Sequence, residues 1–226
     1  MKYTKFAALL LCAALCAGVT SCGSKKSSSD SSSEVHADWE LITPDEDDED
    51  ANLGSYRIDP DTGVKLYYEE TEFPRELALA LENHFLAFQN KDFESFKAQN
   101  YPLYNEKMEQ FLQEDYQYGQ KESFEKHVES ICESLGGSFE VTRVKIEPST
   151  LFATEEEGVK DFLDYMGQIF KDDSFGDKVR EDCDSFRYFT FYVMAKDADG
   201  KEQIIVSDEE NNAVYAVKDG KYYTFG

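Results

Sequence analysis

Phe186-Arg187-Tyr188-Phe189-Thr190-Phe191-Tyr192-Val193-Met194-Ala195 is the stretch that decides the fold. Side chains of a strand point alternately to opposite faces, so this run divides into two sets. Arg187, Phe189, Phe191, Val193 and Ala195 form the more apolar set; Phe186, Tyr188, Thr190, Tyr192 and Met194 form an amphipathic one. The period stays near two to the end of the chain, through Gln203 to Ser207, Ala213 to Lys218 and Tyr222 to Phe225. Asp197-Ala198-Asp199-Gly200 and Asp219-Gly220 mark the reversals, since Asp-Gly is a strong hairpin signal. The reading is an antiparallel meander with Phe189, Phe191 and Val193 packed on helices.

Upstream the period is that of helices. Pro74 suits a first helical turn, and Leu77, Leu81, Phe85 and Phe88 follow as one apolar stripe. Asn90-Lys91 interrupts it, and Asp92 caps a short restart that buries Phe93 and Phe96. A helix from about Leu103 to Tyr118 turns Met108, Phe111 and Leu112 inward. The next, Glu122 to Leu135, aligns Phe124, Val128, Ile131 and Leu135 before Gly136-Gly137 ends it. Phe139 to Ile146 reads as a strand. Thr154 and Glu157 form a capping box opening a helix with Val159, Phe162, Leu163, Met166, Ile169 and Phe170 on one side. Helices followed by a run of strands indicate an α+β fold, helices packed on a curved antiparallel sheet. Ahead of it, residues 55 to 70 read as a hairpin about Asp59-Pro60-Asp61-Thr62-Gly63. Two carboxylates in that turn invite a calcium site, but a five-residue turn is sufficient explanation.

At the other end, Lys2 and Lys5 precede an apolar run from Phe6 to Val19, shorter than the roughly 20 residues a membrane-spanning helix needs. Its close, Val19-Thr20-Ser21-Cys22, resembles the lipobox of bacterial lipoproteins. The resemblance implies cleavage before Cys22, a diacylglyceryl group on its thiol, and an outward-facing, extracytoplasmic body anchored to the bacterial cell membrane. Two acyl chains suffice for stable attachment, at about 0.8 kcal/mol per buried CH₂. The expected organisation is a signal peptide (1–21), a disordered Ser-rich and acidic tether (22–50), a β-hairpin (51–73) and an α+β domain (74–226).

Composition narrows the partners. The net charge of −24 becomes two units more negative once Lys2 and Lys5 leave with the signal peptide. Such a surface repels phosphate backbones, which excludes nucleic acid as the expected partner. Of five cysteines, Cys12 and Cys16 fall in the leader and Cys22 carries lipid, leaving Cys132 and Cys183. In an exported protein these two could form a disulfide, or both could stay as buried thiols. No cofactor is indicated, and His36, His84 and His127 show no metal-ligand spacing.

Three pieces resemble small exported lipoproteins with the cone fold of nuclear transport factor 2, ketosteroid isomerase and polyketide cyclases. They are the broken helix His84 to Phe96, a later helix followed by a bent sheet, and the closing hairpin Val214 to Tyr223. The resemblance implies a curved sheet wrapped on helices with a pocket at the open end. Members of that superfamily catalyse, bind ligands or dimerise, so the fold does not choose among these.

The expected function is a non-catalytic binding or interaction module for a small molecule, glycan or protein. Tyr188, Thr190, Tyr192, Tyr215 and Tyr223 are its candidate binding face, which could also form a homodimer. The alternative is an isomerase- or cyclase-like enzyme, with a tyrosine donor and Asp161 or Asp164 as base. A pocket with one buried, desolvated carboxylate would favour the enzyme; a shallow tyrosine face would favour the binder.

Overall fold

The computed structural model describes residues 39–48, 51–207 and 211–226. The signal peptide, Cys22 and the serine-rich spacer lie outside them. After a short 3₁₀ turn, Ala51–Leu53, the order is β1 (Arg57–Ile58), β2 (Lys65–Tyr67), α1 (Arg75–Gln89), α2 (Phe93–Gln99), α3 (Pro102–Tyr116) and α4 (Gln120–Ser134). Then come β3 (Glu140–Pro148), α5 (Glu155–Ile169), α6 (Phe175–Asp182), β4 (Ser185–Lys196), β5 (Glu202–Val206), β6 (Asn212–Lys218) and β7 (Lys221–Tyr223). The fold is α+β: six helices, among the described residues, on a curled sheet in which all pairs but one are antiparallel.

Helix ends follow the local chemistry. Pro74 stands at the N-cap of α1. At its C-terminus Lys91 adopts a left-handed φ of 56°, and the Asp92 amide reaches back to the Ala87 carbonyl at 2.9 Å. The Asp92 carboxylate then accepts from the Ser95 amide, starting α2. Thr154 Oγ1 accepts from the Glu157 amide at 3.2 Å, as a capping box requires. Helix α6 has no counterpart in the sequence reading. Its only deeply buried side chains are Phe175 and Val179, a pair too sparse in an acidic stretch to reveal a helical period.

The sheet runs β1-β2-β3-β4-β6-β7, with β5 also on β4. A simple meander is corrected here. Strands β5 and β6 lie in series along one edge of β4: Glu202 faces Lys196, and Asn212 to Val217 face Thr190 to Ser185. Within the β4–β5 pairing the register slips, Val193 facing Val206 and Met194 facing Ile204, which leaves Ile205 of β5 as an extra residue. The β6–β7 reversal is the two-residue turn the sequence signals, with Asp219 and Gly220 at φ 51° and 71°. The β1–β2 hairpin joins the main sheet because β2 pairs in parallel with β3, Leu66 opposite Val144.

Two apolar clusters lie on opposite faces of β4 and β6. Phe189, Phe191, Val193 and Tyr215 pack with residues of α1 and α4, including Leu77, Leu81, Phe124 and Val128. Tyr188, Val214 and Ala216 pack with α3, α5 and α6 through Met108, Phe162, Leu163 and Phe175. The end of the chain is fastened too: Tyr101 donates its amide to the Thr224 carbonyl, and Phe225 enters the second cluster. Part of the segment assigned to the tether is also held on the body. Ile42 pairs with Tyr56, and the Arg75 guanidinium lies 3.4 Å from the centre of the Trp39 ring.

Candidate functional site

The tyrosine face does not survive as one surface. Parity along β4 holds, but helices α5 and α6 cover the start of its second face. Tyr188 is 2% exposed, against Phe152 and with its ring over Gly158, where a Cβ would come within 2.5 Å. Burial pushes its hydroxyl pKa up to about 12. Tyr215 lies opposite Arg187 in the β4–β6 pairing and so shares the other face, where it stacks on Phe189 at 5.6 Å. It is a core residue, and burial raises its pKa strongly. Tyr223 pairs with Ala216 on the Tyr188 side and packs edge-on to Tyr101. Tyr223 is half-exposed on the edge strand β7, and on β4 Thr190 and Tyr192 are half-exposed as well. Their cross-strand neighbours there are Glu147 and Lys145, and Thr190 Oγ1 donates to the buried Asn212 amide oxygen. Composition alone groups the tyrosines of β6 and β7 with those of β4; their faces depend on a strand register that local sequence does not encode.

Cys132 and Cys183 are both free thiols. Cys132 belongs to the first cluster and Cys183 packs against the second, so the sheet separates them.

A groove missed by sequence reasoning runs along α4. Its volume is ≈ 560 Å³, and it is lined by Phe124, Val128 and Cys132 below and Glu125, Glu129 and Glu133 along one side. Lys91 and Gly137 line it as well. The spacing explains the division: Phe124, Val128 and Cys132 recur every four residues, as do the glutamates one position on. The floor is stiff, because Phe124 is packed between Phe88, Phe93 and Phe96 at 5.1, 5.8 and 4.9 Å. Glu125 has Lys121 at 3.9 Å; Glu129 and Glu133 have no cationic partner among the described residues. Such a groove can hold an apolar side chain below and cationic groups at its edge. The pattern is present in the sequence, but glutamates four residues apart on a helix do not by themselves distinguish a groove edge from an ordinary solvated face.

One carboxyl group is fully buried, also unanticipated. Glu82 on α1 is 0% exposed, and its Oε1 accepts a hydrogen bond from the Thr62 hydroxyl of the β1–β2 turn. Desolvation, with Asp59 and Asp61 nearby, raises its pKa to about 8. Glu82 is sealed from solvent, so its carboxyl group is not presented to a substrate from the surface. Two residues on, His84 is 8% exposed, ringed by Phe85, Phe88 and Phe96 at 5.2 to 5.4 Å. Burial lowers its pKa to about 4 and keeps the ring neutral. Among the described residues no group of His, Cys, Asp or Glu is arranged to hold a metal ion, and no helix is long and apolar enough to cross a membrane. Asp161 and Asp164, the bases of the enzyme alternative, lie on α5, and Asp164 is paired with Lys160. No family model, curated protein or solved structure matches this chain.

Proposed function

We propose that this chain is a lipid-anchored, outward-facing binding module that does no chemistry, and that the α4 groove is where it takes hold of a partner. The observation that carries the reading is the groove itself, apolar below and acidic along one side, on a chain whose net charge is −24. That arrangement suits a cationic, partly apolar peptide segment better than a neutral sugar or an anionic metabolite. The lipobox-like Val19 to Cys22 supports the anchor, and the acidic body keeps such a domain off an anionic lipid surface. The bent sheet and the broken α1–α2 helix support placing the body with the nuclear transport factor 2-like proteins.

Binding is tested by fluorescence anisotropy with a labelled amphipathic lysine-leucine peptide. The wild-type protein should bind it, and Glu129→Lys with Glu133→Lys should weaken binding about tenfold or more while the melting temperature hardly moves. Equal affinity for both proteins would reject the groove. For the anchor, intact mass and membrane fractionation in a bacterial host decide. The expected product begins at a diacylglyceryl-modified Cys22, and Cys22→Ser should leave the membrane fraction. Retention of residues 1–21 in the mature protein would overturn that half of the proposal.

A further inference from the structure

Helix α4 restricts the shape of partner that its groove can take. The floor residues Phe124, Val128 and Cys132 and the edge residues Glu125, Glu129 and Glu133 form two rows, each repeating every four residues. From Phe124 to Glu133 the rows run about 14 Å, and the edge row is turned about 100° from the floor row. An occupant that fills the floor and meets the edge at each turn must carry apolar and cationic rows side by side. An extended strand cannot do this, because its side chains alternate between opposite faces. With its apolar set on the floor, its cationic set points away from the glutamates. A helix with apolar residues every three or four positions, and lysine or arginine beside each, presents both rows together.

The floor is fixed in advance, so the fit must come from the partner. Phe124 is held by three phenylalanine rings, and Val128 and Cys132 are buried members of the first cluster. The charge is one-sided as well. Glu129 and Glu133, which have no cationic partner among the described residues, lie towards the C-terminal end of α4, where the helix dipole adds negative potential. The one cation in the lining, Lys91, comes from the α1–α2 turn rather than from α4, so a partner basic on every side would meet it. Taking the groove as the binding site, we infer that its occupant is an amphipathic α-helix of a partner protein. Roughly two to three of its turns lie in contact, with an apolar stripe bordered on one side by lysine or arginine.

Two labelled peptides of about 14 residues and identical composition separate the shapes. Both contain leucine, lysine and glutamine, with leucine at the helical period in one and at every second position in the other. Equal charge gives them the same general attraction to a chain of net charge −24, so a difference between them reads shape alone. By fluorescence anisotropy on the full chain, the helical-period peptide should bind tighter by about tenfold or more. Circular dichroism should show that peptide gaining helix as it docks. Equal or tighter binding of the alternating peptide, with both weakened by Glu129→Lys and Glu133→Lys, would overturn the helix and leave the groove standing. A helical-period peptide indifferent to those two substitutions would overturn groove and helix together.

Cys132 gives a second readout, because its thiol lies in the groove lining. One central leucine of the helical-period peptide is replaced by a cysteine held as a mixed disulfide with thiopyridine. The Cys132 thiolate attacks the peptide sulfur, forming a protein–peptide S–S bond and breaking the peptide–pyridyl one; thiopyridone leaves with the thiol proton. Cys183 is the more exposed of the two thiols, so an undirected reaction favours it. Mapping of the unreduced product should instead find the peptide on Cys132, and Glu129→Lys with Glu133→Lys should slow that labelling about tenfold. Labelling of Cys183 ahead of Cys132, or a rate at Cys132 untouched by the two substitutions, would overturn the docked helix.

Discussion

At the scale of single residues, α1 carries two buried titrating groups that pull stability in opposite directions. His84 is held neutral with a pKa of about 4 against an ordinary 6.5. The unfolded chain takes up a proton there first, so the contribution is full above about pH 6.5 and is lost as pH falls towards 4. Glu82 does the reverse, losing stability from about 4.5 up to about 8. Each changes stability by up to ~1.4 kcal/mol per pH unit across its window. The two slopes oppose between about 4.5 and 6.5, leaving wild-type stability to fall chiefly between about 6.5 and 8. Denaturant melts of Glu82→Gln should show that fall removed and the rise below pH 6.5 uncovered. His84→Leu should show stability falling across the whole Glu82 window. At Gly158, where a Cβ would sit 2.5 Å from the Tyr188 ring, Gly158→Ala should cost ~1–3 kcal/mol despite the helix preference for alanine. A gain in denaturation midpoint would show that the α5–β4 contact yields freely.

At the scale of elements, ends and junctions are set by single polar groups. Helix α4 starts at Gln120 without a side-chain cap of its own, and Glu109 of α3 supplies one from outside, accepting the Gln120 amide at 2.7 Å. A carboxylate at a helix N-terminus also opposes the positive end of the dipole. Glu109→Ala should therefore cost ~1 kcal/mol, read as a lower denaturation midpoint with unchanged m-value. An effect below a few tenths of a kcal/mol would mean water replaces the cap. Most elements were legible because their apolar residues repeat at one period over many positions: α1, α4 and α5 as stripes, β4 as an alternation. Helix α6 was not, with two buried apolar side chains in eight residues. The split pairing of β4 with β5 and β6 was not legible either. Hairpin signals specify where a chain turns, and do not say which neighbour it lies beside afterwards.

At the scale of the whole molecule, Trp39 and Ile42, ahead of the first helix, are part of the body. Trp39 packs on Arg75 and the first cluster, and Ile42 bridges to Tyr56. A chain beginning at Ala51 should therefore melt lower than one beginning at Trp39, by the equivalent of ~1–2 kcal/mol for one buried aromatic and a cation–π contact. Identical melting curves would return residues 39–48 to the tether. The sheet also settles the thiols. With Cys132 and Cys183 in clusters on opposite faces, the unreduced protein should take up two alkylating groups when denatured, beyond any at the N-terminal cysteines. Helices on both faces of β4 and β6 bury Tyr188 and Tyr215 of the surface that the tyrosines would have offered, and the groove lies along α4 instead.

The sequence by itself determined the class of fold, the caps and turns, and the apolar set of β4. All of these arise from interactions between residues a few positions apart, where period and turn chemistry are sufficient. Only the tertiary structure decided which tyrosines are buried, that Glu82 meets Thr62 of the β1–β2 turn, and that α4 borders a groove. Those outcomes depend on register and on which elements share a face. Residues such as Thr62 and Glu82 are brought together by packing that local patterns cannot encode, because burial is a property of the assembled layers.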